Sequence, residues 1–239
     1  VFGPHRLRRT TPLPPKETGV FRIAAFGDSL TYGEGVALEE AWPAALESGA
    51  IRPDTVIQTA PGSLTLGPNT IHDAHPHGAL TVEQVIEKSS NVGAAKIALS
   101  LPSATLWQML SDSGFGTAPN TGFPGEVAGR LRPAKTWKPI EQATMAYGHG
   151  ISVNLVQLAR AYTVFSSDGE LKPVSLLKGG GVVAGRPVLK AETARAVRHM
   201  LELAVGPGGT APKAQVPGYR VAGKTGTAQV FRLGERGHQ

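Results

Sequence analysis

The chain has 239 residues, of which 24 are Lys or Arg and 18 are Asp or Glu, and it contains no cysteine. A length of this order supports one large domain or two small ones, each with a substantial core. The lack of cysteine excludes disulfide scaffolds, cysteine-bound zinc and thiol nucleophiles. No apolar run is long enough to predict a membrane-spanning helix.

Residues 1–19 are dominated by Arg and Pro and show no hydrophobic period, which predicts an extended arm. Arg6, Arg8, Arg9 and Lys16 lie in this arm, so it contributes much of the net charge of +6. A solvated tail is favoured over an arm that binds nucleic acid or a membrane surface. Because the chain begins at Val1 and lacks a signal-peptide pattern, we also consider that an N-terminal segment was removed.

Residues 20–47 are predicted to form a strand, a glycine-rich turn and a helix. The run VFRIAAF over 20–26 is apolar, rich in β-forming residues and bounded by glycine, which is typical of a buried strand. GDSLTYGEG then forms a turn, and ALEEAWPAALESG has the composition of a helix. Pro43 is compatible with that helix only near its first turn.

The middle of the chain alternates between loops and short helices. Residues 51–80 are predicted to be loop with short extended pieces, after which Thr81 caps a helix over TVEQVIEKSS. A second helix is predicted to start at Asn91 and a third to span 103–112. The glycine- and proline-rich stretch 113–139 is predicted to be loop.

The last hundred residues are predicted to contain three helices and several strands. The sequence indicates helices over IEQATMAYGHG, ended by Gly148, over 153–166, and over AETARAVRHMLELAV, stopped by GPGG. VSLLK, VVAGRPVL and YRVAGKTGTAQVF are predicted strands. In the helix over 153–166, one apolar stripe is predicted from Leu155, Leu158, Ala159, Tyr162 and Phe165.

Two short motifs could carry chemistry. Ser89-Ser90-Asn91 lies at a turn between two helices, where a hydroxyl and a carboxamide can face a cleft, although Asn91 could equally be a helix N-cap. Lys224-Thr225-Gly226 lies on a predicted edge strand, where Lys224 could bind a carboxylate or tune a neighbouring base. Each motif alone is common by chance.

The combination of the two motifs is more specific. The motifs S-x-x-K, S-D-N and K-T-G occur together in active-site-serine enzymes that recognise penicillin, and S-x-N is the form of the second one here. Here Ser89 precedes Lys224 by 135 positions, and the stretches HPHGALTVEQVIEKSSNVGAAKIAL, GFPGEVAGRL and VPGYRVAGKTGTA surround the motifs. From about Ala45 to Gln229 the chain resembles the transpeptidase domain of a class B penicillin-binding protein of the cell-division type.

The resemblance implies an α/β domain of the α+β type, similar to penicillin-binding proteins and serine β-lactamases, with an antiparallel sheet and a helical cluster. It implies a peptidoglycan stem peptide or a β-lactam as the ligand. Ser89 and Asn91 would relay protons and hold the acyl side chain, and Lys224, Thr225, Gly226 and Thr227 would bind the peptide carboxylate and flank the oxyanion site. The family is periplasmic and anchored to the inner membrane; the sequence leaves the location of this chain unknown.

The chain departs from the family at the nucleophile. Matching backward from LESGAIRPDT places the family's S-x-x-K motif at residues 35–38, and this sequence has Gly-Val-Ala-Leu there. No S-x-x-K occurs anywhere before Ser89. His149, in the loop that follows the mid-domain helix, is a weaker candidate for a base. The resemblance therefore predicts an impaired transpeptidase-like domain of septal peptidoglycan synthesis.

Just upstream of that position, the block from Phe26 to Gly33 resembles the opening block of GDSL or SGNH serine esterases. In that family the serine at the carboxyl end of a strand is the nucleophile, which here is Ser29; Asp28 is interpreted as a turn-capping acceptor. Lys224 or Lys88 could serve as its base if desolvated. The later G-x-N-D and D-x-x-H blocks of these esterases do not occur in the chain.

The sequence thus predicts an arm over 1–19, an esterase-like segment over 20–47 and a transpeptidase-like domain over 48–239 that is short at its C-terminal end. We expect an exposed sheet edge that a second copy could cover. The alternatives to the impaired transpeptidase are an esterase that hydrolyses small esters through Ser29 and a non-catalytic binding fragment. No nucleic-acid partner, nucleotide motif or cofactor is indicated, and a metal site formed by the histidines around Asp73 is disfavoured because Pro76 interrupts them.

Overall fold

The computed structural model describes residues 41–176 and 183–226. Predictions for 1–40, 177–182 and 227–239, among them the arm and the GDSL block, lie outside the described residues. The helices are α1 Ala41–Glu47, α2 Val82–Glu87, α3 Asn91–Leu99, α4 Ser103–Asp112, α5 Pro139–Met145, α6 Leu155–Ala161, α7 Thr163–Ser166 and α8 Ala191–Val205. The strands are β1 Val56–Gln58, β2 Ser63–Leu66, β3 Asn69–His72, β4 Ala79–Thr81, β5 Glu170–Leu171 and β6 Arg186–Pro187.

The described strands form three antiparallel pairs. β1 pairs with β4, β2 forms a hairpin with β3, and β5 pairs with β6. Small antiparallel sheets and a cluster of helices therefore make up the α/β fold, as predicted. The start of α2 is also confirmed, because Thr81 and Gln84 form a reciprocal capping box.

The strands predicted near the C-terminus are found only in part among the described residues. Residues 221–226, which carry the K-T-G motif, are in no strand among the described residues. Gly223 instead donates its backbone N–H to the carbonyl of Leu201 on α8, at 3.1 Å. VVAGRPVL contributes only the two residues of β6, and 174–176 are not in a strand. An extended segment becomes a strand only where a neighbour supplies backbone partners.

One cluster of the hydrophobic core lies where α1, α2 and α8 meet. Trp42, on α1, is 1% exposed and belongs to a cluster with residues of α2 and α8 such as Ile86 and Met200. The helix α8 has the predicted amphipathic pattern, ends at Gly206, and buries Val197, Met200, Leu201 and Ala204 on one side. Burial of these side chains supplies the hydrophobic stabilisation that holds the helices together.

The predicted helix over 153–166 is two helices, and its apolar stripe is partly wrong. Leu155 is 48% exposed and Ala159 is also exposed. Gln157 is buried in their stead, and its amide donates to the carbonyls of Thr117 and Ala128 at 2.7 and 2.8 Å. A buried amide satisfies carbonyls of the 113–139 loop, which periodicity of apolar residues does not detect.

The turn after α7 is tied to α8 by an ion pair whose contribution depends on pH. Asp168 contacts Arg195 at 2.7 Å and Arg198 at 3.3 Å, and these cations hold the pKa of Asp168 below its usual value. A carboxyl with a lowered folded-state pKa stabilises the fold above its unfolded pKa, and this contribution is lost as the pH falls through the folded pKa.

We expect Asp168→Asn to lower the free energy of unfolding by less than about 1 kcal/mol at pH 7, because the pair is solvent-exposed. Asparagine also tolerates the positive φ of 49° at this position, so the substitution tests the charge alone. Denaturant titrations of both proteins should converge as the pH is lowered towards 3. A difference that persists unchanged at low pH would contradict the electrostatic explanation.

Candidate functional site

The candidate site is built on the corner between α2 and α3. Ser89 has φ of 57°, in the left-handed region, and its N–H donates to the carbonyl of Ile86 while the N–H of Ser90 donates to that of Val85. This pair of hydrogen bonds is a Schellman motif, in which the left-handed position is usually glycine. A serine at this position strains the backbone, and it turns the chain so that α3 can begin at once.

Close packing of the two helices fixes this corner. A Cβ added at Gly93 would lie 2.6 Å from a methyl of Val85, so the glycine permits α3 to approach α2. Ser90 is the N-cap of α3, and its hydroxyl accepts from the N–H of Gly93 at 2.9 Å. Asn91 is therefore the first helical residue, and the interpretation of Asn91 as the cap is wrong.

Asp73, which directly follows β3, braces the same corner from outside. Its carboxylate accepts from the Ser90 hydroxyl at 2.8 Å and from the Val92 N–H at 2.9 Å. The Asn91 amide donates to the carbonyl of His72 at 3.0 Å. The end of the β2–β3 hairpin thus holds both the Ser90 cap and the Asn91 carboxamide. The negative charge of Asp73 also interacts favourably with the N-terminus of α3.

The second motif reaches this corner through a lysine. Lys224 Nζ lies 2.5 Å from Ser89 Oγ and donates to it, although 135 residues separate the two in the chain. Both side chains are half-buried. A partly desolvated ammonium beside a hydroxyl can attract a ligand carboxylate and polarise a reacting group at the same time.

The loop over 206–210, which follows α8, bridges the two motifs. Lys88 donates to the carbonyl of Gly208 at 2.8 Å and pairs with Glu87 at 3.0 Å. On the other side, the hydroxyls of Thr210 and Thr225 are 2.9 Å apart. Gly209 is required in this loop, because a Cβ there would lie 2.1 Å from the carbonyl of Ala204.

Two aromatic side chains in the loop after α5 have pKa values that are shifted by burial. Tyr147 and His149 pack edge to face with ring centroids 5.3 Å apart. Burial raises the pKa of Tyr147 to about 12 and lowers the pKa of His149. Burial thus disfavours the charged form of the His149 imidazole, and its ring contact among the described residues is with Tyr147 rather than with Ser89 or Lys224.

The structure brings most of the predicted site residues together. Ser89 contacts Lys224, Asn91 stands on the first turn of α3, and Thr225 and the exposed Gly226 follow Lys224. Ser29 and Thr227 lie outside the described residues. Lys88 is committed to Gly208 and Glu87, which argues against its role as a base.

Sequence reasoning missed the supporting residues Asp73 and Thr210. Asp73 lies in a histidine-rich string, and no local pattern in the sequence pairs it with Ser90, 17 positions later. Over 41–176 and 183–226, no group of three His, Cys, Asp or Glu side chains is placed to hold a metal ion. No helix in those ranges is long and apolar enough to span a bilayer.

Comparison with known proteins identifies the class that this fold and site define. The family model described as the penicillin binding protein transpeptidase domain matches residues 42–239, so the chain belongs to that family. The predicted resemblance to the cell-division type is confirmed by its relatives. The esterase-like resemblance and the division of the chain at residue 47 stay predictions.

Among individual proteins, the chain is 42% identical over 185 residues to the probable peptidoglycan D,D-transpeptidase PenA of Neisseria flavescens. The aligned region covers 77% of this chain and 46% of that protein. It is 40% identical over 185 residues to the peptidoglycan D,D-transpeptidase FtsI of Escherichia coli, and this aligned region covers 77% of this chain and 31% of that protein. The chain therefore spans less than half of the length of either relative.

A solved structure supports the fold directly. The transpeptidase domain of penicillin-binding protein 3 from Burkholderia pseudomallei, in its apo form, superposes with a TM-score of 0.81 at 46% identity. The match covers 87% of this chain and 64% of that one.

Proposed function

We propose that this chain is a transpeptidase-like ligand-binding domain that recognises the D-Ala-D-Ala end of a peptidoglycan stem peptide, or a β-lactam that mimics it. The ligand would lie between the Ser89 corner and the segment that carries Lys224 and Thr225. The named activity of the relatives is D,D-transpeptidation, and this chain would perform it poorly because Gly35-Val36-Ala37-Leu38 stands where the family has S-x-x-K.

The observation that carries this proposal is the contact of 2.5 Å between Lys224 Nζ and Ser89 Oγ. It joins the two motifs into one half-buried polar site, with Asn91 beside it. A carboxylate that binds the Lys224 ammonium would add a charge-assisted hydrogen bond. The Asp73 brace and the Thr210–Thr225 contact support the proposal, because they hold both walls before a ligand arrives.

The test is equilibrium binding of a fluorescent acyl-D-Ala-D-Ala peptide, followed by anisotropy. Removing the ammonium in Lys224→Ala should weaken binding by about 10- to 100-fold, as expected for a hydrogen bond to a charged group. The same peptide with a C-terminal amide should bind the wild type as weakly as the acid binds the variant, because it lacks the carboxylate.

Lys213→Ala is the matched control, since Lys213 is an exposed lysine in the short 3₁₀ helix Pro212–Ala214 and takes no part in the corner. Its affinity for the peptide should equal that of the wild type. Equal binding of the acid and the amide, or full affinity in Lys224→Ala, would contradict the proposal.

An ester hydrolase that acts through Ser29 is the second candidate, supported by the sequence Gly27-Asp28-Ser29-Leu30 alone. An esterase of this kind would hydrolyse small esters at a rate that depends on Ser29. That rate would not depend on whether the substrate carries a D-Ala-D-Ala terminus. The ligand-binding domain predicts the opposite preference, so the two candidates are separable by ligand choice. Assembly of two copies through an exposed sheet edge stays a proposal from the sequence, which no contact among the described residues supports.

A further inference from the structure

The Lys88 side chain joins the end of α2 to the loop over 206–210. Its ammonium donates to the carbonyl of Gly208 at 2.8 Å and pairs with the Glu87 carboxylate at 3.0 Å. The side chains of Lys88 and Glu87 are 36% and 19% exposed, so water screens this pair only in part. A Cβ at Gly208 would lie 2.4 Å from the Glu87 carboxylate, so the loop can approach the pair only with glycine there. Lys88 therefore ties the loop to the residue next to Ser89.

The same loop also holds the segment that carries the K-T-G motif. Thr210 comes two residues after Gly208, and its hydroxyl lies 2.9 Å from that of Thr225. The N–H of Ala211 donates to the carbonyl of Ala204 at 3.0 Å, which closes the loop onto the end of α8. A continuous path of hydrogen bonds thus runs from the end of α2 through the loop to the K-T-G segment.

This path matters because a bound ligand would interrupt the direct contact between the two walls of the site. Without a ligand, Lys224 Nζ donates to Ser89 Oγ at 2.5 Å. A carboxylate that binds the Lys224 ammonium competes with the Ser89 hydroxyl for the same donor. Once the ligand lies between the walls, the path through Lys88 still holds them at their spacing. Walls that are already ordered spare the binding reaction the entropy cost of ordering them.

We propose that Lys88 is a positioning residue for peptide recognition, which sets the spacing between the Ser89 corner and the K-T-G segment by anchoring the loop over 206–210. Lys88 acts through this loop and has no assigned contact with the ligand. The inference rests on the proposed function and adds a residue outside the two binding motifs. The role requires a hydrogen-bond donor and a positive charge at residue 88.

The test measures binding of the fluorescent acyl-D-Ala-D-Ala peptide to variants of the full 239-residue chain. Lys88→Met keeps the length of the side chain but removes the donor and the charge, so the affinity should fall by about 10-fold because the loop must then be ordered on binding. Lys88→Arg keeps both properties and should bind within about 3-fold of the wild type. The melting temperature of Lys88→Met should stay within about 4 °C of that of the wild type, because a half-exposed pair stabilises the fold little.

Lys190→Met is the matched control. Lys190 is an exposed lysine at the start of α8, and its ammonium lies 3.9 Å from the Glu47 carboxylate. The substitution therefore also removes a lysine from an ion pair on α8, at the end far from the loop over 206–210. Its affinity for the peptide should equal that of the wild type.

A double-mutant cycle tests whether Lys88 acts through the loop. Thr210→Val removes the contact with Thr225 and should weaken binding by about 5-fold. Two substitutions that loosen the same loop are not independent, so the double variant should bind about 10-fold more weakly than the wild type, rather than the roughly 50-fold expected of additive effects. Hydrogen exchange at the Ala211 N–H should be faster in both single variants, because the loop opens more often.

Three results would overturn the inference. They are full affinity in Lys88→Met, an affinity in Lys88→Arg as low as that in Lys88→Met, and additive losses in the cycle. If the wild type binds the peptide and Lys88→Met binds it equally well, the proposed function stands and only the positioning role is removed. A folded wild type that does not bind the peptide would remove both.

Discussion

Trp42→Ala is expected to lower the free energy of unfolding by about 3–5 kcal/mol, the usual cost of truncating a large buried aromatic residue. Trp42 is 1% exposed and packs in the cluster that joins α1 to α2 and α8. The substitution would leave a cavity between α1 and its neighbours, because Trp42 is the largest of the five side chains that α1 buries. Chemical denaturation monitored by circular dichroism measures the loss.

Trp42→Phe is the matched control. The indole N–H of Trp42 is buried and has no hydrogen-bond partner among the described residues. Phenylalanine removes that unsatisfied donor and keeps most of the apolar volume, so we expect a loss well below that of alanine. If both variants were as stable as the wild type, α1 would not be an integral part of the domain. That result would favour the boundary predicted at residue 47.

Ser89→Gly is expected to separate stability from ligand recognition. Ser89 has the positive φ of 57° that a Schellman motif reserves for glycine, and a left-handed non-glycine residue costs about 1–2 kcal/mol. Glycine relieves that strain. It also makes the unfolded chain more flexible, and this entropy lowers the free energy of unfolding by about 0.5–1 kcal/mol. The variant also loses the hydroxyl that contacts Lys224. Its affinity for the peptide should therefore fall, whereas the stability of the fold should not.

The comparison with Ser89→Ala isolates the strain, since both variants lack the hydroxyl and only alanine keeps a Cβ. We expect Ser89→Gly to have a free energy of unfolding about 1 kcal/mol above that of Ser89→Ala, with both binding the acyl-D-Ala-D-Ala peptide more weakly than the wild type. Equal stabilities of the two variants would show that the corner is not strained. Undiminished affinity in both would remove Ser89 from the site.

Local signals in the sequence placed the helices well. Thr81 with Gln84 is a capping box, and the apolar period of 191–205 matches the buried side of α8. Such signals depend on residues three or four apart, so no knowledge of the rest of the fold is needed. The stripe over 153–166 failed for the converse reason: Gln157 is buried because distant carbonyls of Thr117 and Ala128 need a donor.

The candidate site divides in the same way. Ser89, Asn91 and Lys224 stand in recognisable motifs, and the stretches around those motifs resemble the family to which residues 42–239 are matched. Asp73, Thr210 and the loop over 206–210 had no such signal, because their contacts join residues far apart in the chain.

By itself, the sequence determined the residue types that can carry the chemistry, the helices around the corner and the substitution of Gly35-Val36-Ala37-Leu38 for a serine–lysine motif. Those features reside in single residues or in short spacings. Only the tertiary structure decided which lysine lies beside which hydroxyl. The packing of Gly93 against Val85 and the brace from Asp73 bring Ser89 within 2.5 Å of Lys224, and hydrogen bonding acts over that distance, regardless of the 135 residues between them.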